Sequence, residues 1–138
     1  MPSIRKEIVI DASPEQVWDA VSDVGAVHDR LVPGYTENTL MDGHERTLLH
    51  PYGGRTREYI VSIDHEERRM AYAVVKGRMP LLHHHASFQV FPHGDNGSKL
   101  IWITDFLPAH LAPEIEARVH RGAEVMKETI EAEAKGRP

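Results

Sequence analysis

The sequence predicts a single α+β domain, spanning residues 1–138, in which an antiparallel sheet is laid against a long C-terminal helix. Three observations carry this reading. Residues 8–18 (Ile-Val-Ile-Asp-Ala-Ser-Pro-Glu-Gln-Val-Trp) run from a short strand straight into a capped helix. Residues 35–107 are strand-like runs punctuated by turn residues. Ile115, Val119, Gly122, Met126 and Ile130 then recur at helical spacing for about four turns. The helix must bury its apolar stripe and the sheet must bury one face, and two such faces closed on each other make a grip around a cavity. Binding of a small apolar molecule is therefore the first functional expectation.

The elements follow in chain order. Residues 4–11 alternate loosely and form the first strand. Ser13 is placed as an N-cap, with Pro14 at the first helical position and Gln16 at the third, which is the spacing of a capping box. Val17, Trp18 and Val21 supply the buried side of that helix. A second helical segment is predicted over residues 24–31 and is stopped by Pro33-Gly34. From Tyr35 the period changes. Strands over 35–41 and 45–50 flank Asp42-Gly43, a strong hairpin signal. Pro51-Tyr52-Gly53-Gly54 is a turn. Strands over 55–63 and 69–76 flank the polar turn from Asp64 to Arg68, and strands over 83–91 and 99–107 are joined through Asp95-Asn96-Gly97. Successive hairpins predict an antiparallel meander. Pro108 ends the sheet, and Pro113 fits the first turn of a closing helix that runs to about Ala134.

On a helical wheel, Leu111, Ile115, Val119, Gly122, Met126 and Ile130 fall in one narrow sector, with Ala117, Glu124, Lys127, Glu128 and Glu131 opposite. Most of the stripe reads as ordinary core. Gly122 stands out, because glycine costs roughly 1 kcal/mol relative to alanine inside a helix. On an inner face it makes room either for a closely packed strand or for a ligand, and the sequence leaves both open.

Composition narrows the function classes. Hydrophobic content of 41% and charged content of 27% are those of a globular domain, and 138 residues are enough to bury roughly 70% of the unfolded surface. The absence of cysteine excludes a disulfide framework, a thiol nucleophile and thiolate metal sites. No apolar run approaches the roughly 20 residues of a membrane span, and the N-terminus has no signal-peptide core, so a cytoplasmic location is expected. A formal net charge of −5 and the lack of a basic cluster argue against a nucleic-acid footprint. Ten histidines make the charge strongly pH-dependent, since protonating half of them cancels it.

Several segments resemble the helix-grip superfamily often called SRPBCC, which includes START domains, birch-pollen-allergen-like proteins and bacterial polyketide cyclase/dehydrase-like proteins. The entry at residues 10–18 (Ile-Asp-Ala-Ser-Pro-Glu-Gln-Val-Trp) resembles the family's first strand and helix. Arg30-Leu31-Val32-Pro33-Gly34 resembles the segment entering its second strand, Glu58 with Asp64 its fourth, and Trp102-Ile103-Thr104-Asp105-Phe106-Leu107-Pro108 its last. The resemblance covers essentially the whole chain. It implies a seven-stranded antiparallel sheet curved around a long C-terminal helix, two short helices after the first strand, and a pocket between sheet and helix. Because the superfamily holds carriers, sensors, cyclases and hydrolases, it implies no single activity.

Strand parity nominates the residues that face such a pocket. In 83–91, His84, Ala86, Phe88 and Val90 share the inward face, and His83, His85, Ser87 and Gln89 the outer one. In 99–107 the inward set is Leu100, Trp102, Thr104 and Phe106, leaving Ile101 and Ile103 outside. In 69–75 it is Met70, Tyr72 and Val74. Residues 55–63 are ambiguous because Ile60 competes with Val61 and Ile63; the family pattern favours Glu58, Ile60 and Ser62 inward. Glu58, Tyr72, His84 and Thr104 then sit as a few polar groups among apolar neighbours, the composition of a ligand site. The expected ligand-binding set is Glu58, Ile60, Tyr72, His84, Phe88, Trp102, Thr104, Val119, Gly122 and Met126.

A buried Glu58 needs a partner for its charge, and His84 is the candidate from this parity. Such a pair is either structural or a general acid and base. The run His83-His84-His85 raises a metal reading, but a strand projects at most two of the three to one side, and a zinc site needs a third ligand from elsewhere, such as His50 or His93. No spacing selects one, so no metal and no cofactor is expected, and the run reads as a solvated strand. Gly53-Gly54 reads as a turn rather than a phosphate loop. Arg30 can meet an anionic group at the cavity mouth or make a surface salt bridge.

Two functional readings from different classes follow. One is non-covalent binding of a small hydrophobic molecule, aromatic or lipid-like. The other is a polyketide cyclase- or dehydratase-like enzyme using Glu58 and His84. A third, an interaction protein, rests on the outward Ile101 and Ile103, which imply at most a weak homodimer.

Overall fold

Two apolar faces of different period meet in this molecule. The computed structural model describes residues 2–136. Strand β1 (Ser3–Ile10) leads into helix α1 (Pro14–Ser22) and a single π-helical turn at Val27–Leu31. Six strands follow: β2 (Asn38–Asp42), β3 (Glu45–Leu49), β4 (Arg55–Asp64), β5 (Arg69–Lys76), β6 (His83–His93) and β7 (Gly97–Leu107). A 3-10 turn at Ala109–Leu111 then opens the 25-residue helix α2 (Ala112–Gly136). The strands form one seven-stranded sheet in the order β1-β7-β6-β5-β4-β3-β2, antiparallel throughout. This is the helix-grip fold. Among the described residues no helix is long and apolar enough to cross a membrane.

The start of α1 forms as its sequence dictates. Ser13 Oγ accepts from the Gln16 amide at 3.2 Å, and the Ser13 amide donates to Gln16 Oε1 at 3.0 Å, completing the capping box. Val17, Trp18, Ala20 and Val21 are buried beneath it, and Trp18 Nε1 donates to His65 Nδ1 at 3.1 Å. The helical segment expected over 24–31 shrinks to the π-helical turn. There the Val32 amide reaches back to the Val27 carbonyl at 2.9 Å before Pro33 removes the next donor. The same carbonyl-to-amide traffic explains why β2 begins at Asn38 and not at Tyr35: the amides of Tyr35 and Thr36 are both spent on the Val32 carbonyl, at 3.1 Å each.

The ambiguous strand resolves through a bulge. Ile60 pairs with Tyr72 and Ile63 with Met70, both inward-facing partners, while Ser62 pairs with Ala71. The register shifts between Ile60 and Ser62, so Val61 is the additional residue and lies 53% exposed. A period of two cannot describe a strand whose parity changes halfway. Ser62, expected inward, is therefore exposed.

The inward residues of the sheet and the stripe of α2 form two adjoining cores. The larger joins Ile8, Ile10, Phe88 and Leu100 to Met126 and Ile130, and the smaller joins Phe106 to Leu111, Ile115 and Val119. Trp102 packs against both. On the outer face, Ile101 and Ile103 are half-buried, not the open apolar strip expected of them. Their cross-strand neighbours are Glu7 and Arg5 on β1, and Gln89 and Ser87 on β6. The apolar residues that do stand exposed are elsewhere, among them Val9, Tyr59, Val61, Val75 and Phe91.

Arg30 makes a tie between helices and does not line the cavity. Its guanidinium donates to Asp19 Oδ2 at 2.8 Å, Asp23 Oδ2 at 3.1 Å and Glu133 Oε1 at 2.8 Å, joining the end of α1 to the last turns of α2. Its side chain is only 15% exposed, so the pairs are partly shielded from water. Arg30→Met is expected to cost about 2 kcal/mol in urea unfolding, with uptake of an apolar probe unchanged because the residue lies away from the cavity.

Candidate functional site

A cavity of about 680 Å³ lies between the sheet and α2. Strands supply one wall: Tyr72 on β5, Phe88 on β6 and Trp102 on β7 project inward by pleat parity and stack in series. The Tyr72 and Phe88 ring centroids are 5.9 Å apart, and those of Phe88 and Trp102 are 4.9 Å apart. Ile115, Val119 and Met126 of α2 face them. Of the residues expected at the site, Glu58, Tyr72, His84, Phe88, Trp102, Thr104, Val119, Gly122 and Met126 line the cavity. Ile60 does not; it packs into the larger core instead.

Gly122 is accounted for by one neighbour. A Cβ there would stand 3.2 Å from Trp102 Cη2 and 3.3 Å from Cζ3, closer than side chains normally approach. Of the two alternatives, the strand side is the one realised: the glycine admits the indole of β7 against the helix. Trp102 Nε1 in turn donates to the Tyr72 hydroxyl at 3.2 Å. Burial pushes the Tyr72 phenol well above the usual tyrosine value, and the nearby Glu58 charge adds to this while Arg46 opposes it. Tyr72 thus stays protonated and keeps its O–H as a donor.

The partner of Glu58 is Arg46 and not His84. Arg46 Nε donates to Glu58 Oε1 at 2.7 Å, with both side chains almost fully buried at 4% and 6% exposure. The two residues are directly opposite in the β3–β4 ladder. Arg46 also donates to the Val24 carbonyl at 3.1 Å, and its guanidinium carbon stands 5.2 Å from the Tyr72 ring centroid. Arg46 had a signal in the sequence: it shares strand parity with the apolar Leu48, which is also inward. The charge on Arg46 hid that signal.

His84 is held by backbone. Its Nδ1 accepts from the Val74 amide at 3.0 Å, which places the ring proton on Nε2. Nε2 has no protein partner among the described residues, and His84 lines the cavity. Burial, and then the neighbouring His85 and His83, hold its pKa down at about 4, with Asp105 opposing. At neutral pH it is an uncharged donor in an apolar wall. His83 is exposed and His85 half-buried on the outer face, so only the middle histidine reaches the interior. No three His, Asp or Glu side chains converge to hold a metal ion among the described residues.

The turn at residues 50–54 also borders the cavity. His50 is buried; its Nε2 accepts from Thr56 Oγ1 at 2.8 Å and its Nδ1 donates to the Tyr35 carbonyl at 3.3 Å. Tyr52 stacks on it at 5.2 Å, and Gly53 turns the chain at a φ of +93°. By residue type alone, His50 is a candidate third ligand for a zinc ion. Here both its nitrogens are engaged by protein groups.

The model of the family described as polyketide cyclase / dehydrase and lipid transport matches residues 1–136. No curated protein matches the chain by sequence. Among solved structures, protein XoxI from Bacillus cereus is 22% identical, with a TM-score of 0.82 over 97% of this chain and 96% of that one. A truncated norcoclaurine synthase from Thalictrum flavum is 16% identical, with a TM-score of 0.78 over 99% and 95%. The di-domain aromatase/cyclase BexL of the BE-7585A biosynthetic pathway is 15% identical, with a TM-score of 0.84 over 98% of this chain and 48% of that one. At these identities the structural likeness shows the fold alone.

Two outcomes test this description. Arg46→Met alone should destabilise the protein by about 3–5 kcal/mol, because it leaves Glu58 buried without a counter-charge, whereas Arg46→Met with Glu58→Leu should recover most of the loss in urea titrations. His84 has a folded pKa below its unfolded value, so the unfolded chain binds the extra proton between about pH 6.5 and 4. The stability contributed by neutral His84 is therefore present above pH 6.5 and is lost as pH falls through that window. His84→Gln should reduce this acid-side loss by up to about 3 kcal/mol relative to wild type, measured as the pH dependence of the unfolding free energy.

Proposed function

Because the chain belongs to the polyketide cyclase / dehydrase and lipid transport family, we propose that it binds a small hydrophobic molecule, aromatic or lipid-like, non-covalently between the sheet and α2. The observation that carries this is the cavity of about 680 Å³, of a size suited to a small organic ligand. The Tyr72–Phe88–Trp102 stack offers flat aromatic surface for the body of the ligand, and Val119 and Met126 close on it from the helix. His84 Nε2, the Tyr72 hydroxyl and the Thr104 hydroxyl supply hydrogen bonds that orient it. Glu58 serves the site through Arg46: the buried pair positions the guanidinium beside the Tyr72 ring.

A second reading, a cyclase- or dehydratase-like enzyme, draws on one feature, the unpartnered His84 Nε2–H at the cavity wall. A neutral imidazole there can give a proton to a developing alkoxide as a general acid. Glu58 is not its base in this arrangement, being engaged by Arg46. Norcoclaurine synthase and the BexL aromatase/cyclase carry chemistry on this fold, which shows that it accommodates catalysis without assigning any here.

Native mass spectrometry of the purified protein should retain a small apolar molecule that denaturing spectra lose. Gly122→Leu should lower uptake of the neutral probe N-phenyl-1-naphthylamine by about tenfold or more while far-UV circular dichroism stays that of wild type, since the added side chain enters the space around Trp102. Unchanged uptake by that variant would reject the cavity as the binding site. Retained uptake with no conversion of the retained molecule by wild type would reject the enzymatic reading, and turnover left unchanged by His84→Gln would reject His84 as its general acid.

A further inference from the structure

Charge is distributed unevenly around this cavity. The chain as a whole carries 21 acidic against 16 basic residues. The residues lining the cavity reverse that balance: Arg46, Arg78, Arg118 and Arg121 stand against only Glu58 and Glu114. Arg46 and Glu58 cancel inside, buried and hydrogen-bonded. The excess positive charge therefore sits at the rim, where Arg118 and Arg121 come from α2 and Arg78 from the connection between β5 and β6.

Two of those three rim arginines share one carboxylate. Glu114 accepts from Arg118 at 3.1 Å and stands 3.8 Å from Arg78. Arg121 is exposed and has no ion pair among the described residues. Arg118 and Arg121 lie three residues apart, one helical turn, and each is next in sequence to an inward residue, Val119 and Gly122 respectively. Their stems thus border the apolar wall while their guanidinium groups reach the edge, the disposition of side chains that cover apolar surface and keep a charged head in water. A guanidinium offers paired donors that match a carboxylate or a phosphate.

We propose that the ligand class is amphipathic and anionic: an apolar body lies along the Tyr72–Phe88–Trp102 stack, and an acidic head group emerges at the rim onto Arg118 and Arg121, with Arg78 opposite. This rests on the cavity-binding reading and goes beyond it by fixing the ligand's charge and the end at which it enters. Glu114 then acts as a placeholder anion, pairing two of the arginines until the head group arrives. A carboxylate and a phosphate monoester meet the same donors, so both sources fit the site.

The test is displacement of N-phenyl-1-naphthylamine from the full chain by three ligands of one length: decanoate, decyl phosphate and decan-1-ol. Wild type should bind one or both anions about tenfold more tightly than the alcohol, and the preferred anion identifies the head group. Arg118→Gln with Arg121→Gln should reduce that preference to near unity while leaving the alcohol and the probe bound as before. Glu114→Gln should move in the other direction and tighten the preferred anion severalfold. Raising salt from 50 to 500 mM should weaken the anions and not the alcohol. Equal binding of alcohol and anions by wild type, or a preference that survives the double substitution, would overturn the proposal and leave the apolar cavity reading standing. Failure of wild type to bind the probe and all three ligands would instead overturn the cavity reading itself, and this inference with it.

Discussion

The contact between the Trp102 indole and the bare backbone at Gly122 sets the distance between helix and sheet, and the rest of the interior is arranged around that distance. At 3.2 Å from where a Cβ would be, the ring is so close that even a methyl group would require it to shift. One large side chain on β7 is thus matched by the absence of one on α2. Trp102 joins the two apolar cores and lends an edge to the cavity, so the same ring holds the grip together and keeps it from closing completely. A helix with alanine or leucine at this turn would have to tilt away or push the indole aside, and either change redistributes the void.

The polar groups within this interior are committed to protein partners on at least one side. Among the described residues, no buried side-chain nitrogen or oxygen lacks a hydrogen bond. His84 is fixed by a backbone amide, Tyr72 by the Trp102 indole, and Arg46 by a carboxylate and a carbonyl. What remains available to a ligand is the second function of each group, the Nε2 proton of His84 and the hydroxyl proton of Tyr72. Groups pre-oriented in this way lose little freedom when a ligand arrives.

How much of this was legible in the sequence depended on range. The capping box at Ser13 and Gln16, the hairpin turns and the stripe of α2 are encoded within one or two turns of chain, and they form as read. Parity placed Phe88, Trp102 and Tyr72 on the cavity side because each lies in a regular stretch of ladder, whereas Glu58, beside a register shift in β4, was placed inward by the family pattern. The family pattern, continued with a period of two, failed at Ser62, where the Val61 bulge resets the count, and no local residue announces a bulge. The Arg46–Glu58 pair and the triple engagement of Arg30 were not legible for another reason. Both depend on which residues become neighbours across strands or between helices, a register that single-strand periodicity does not contain. A charged residue on an apolar face looks like noise until its partner's position is known.

The strand order carries a consequence for how the protein is made. β1 is an edge strand whose ladder partner is β7, with Ser3 opposite Asp105, so once synthesised it has no sheet neighbour until roughly a hundred more residues have followed. At typical elongation rates of about 5–20 residues per second, it waits on the order of 5–20 seconds. During that interval Ile8 and Ile10 are an unpaired, sticky strand face. Arg5, Lys6 and Glu7 immediately precede them, and such charges discourage pairing with other nascent chains. The polar half of β1 thus guards the newborn polypeptide before it contributes to the finished sheet.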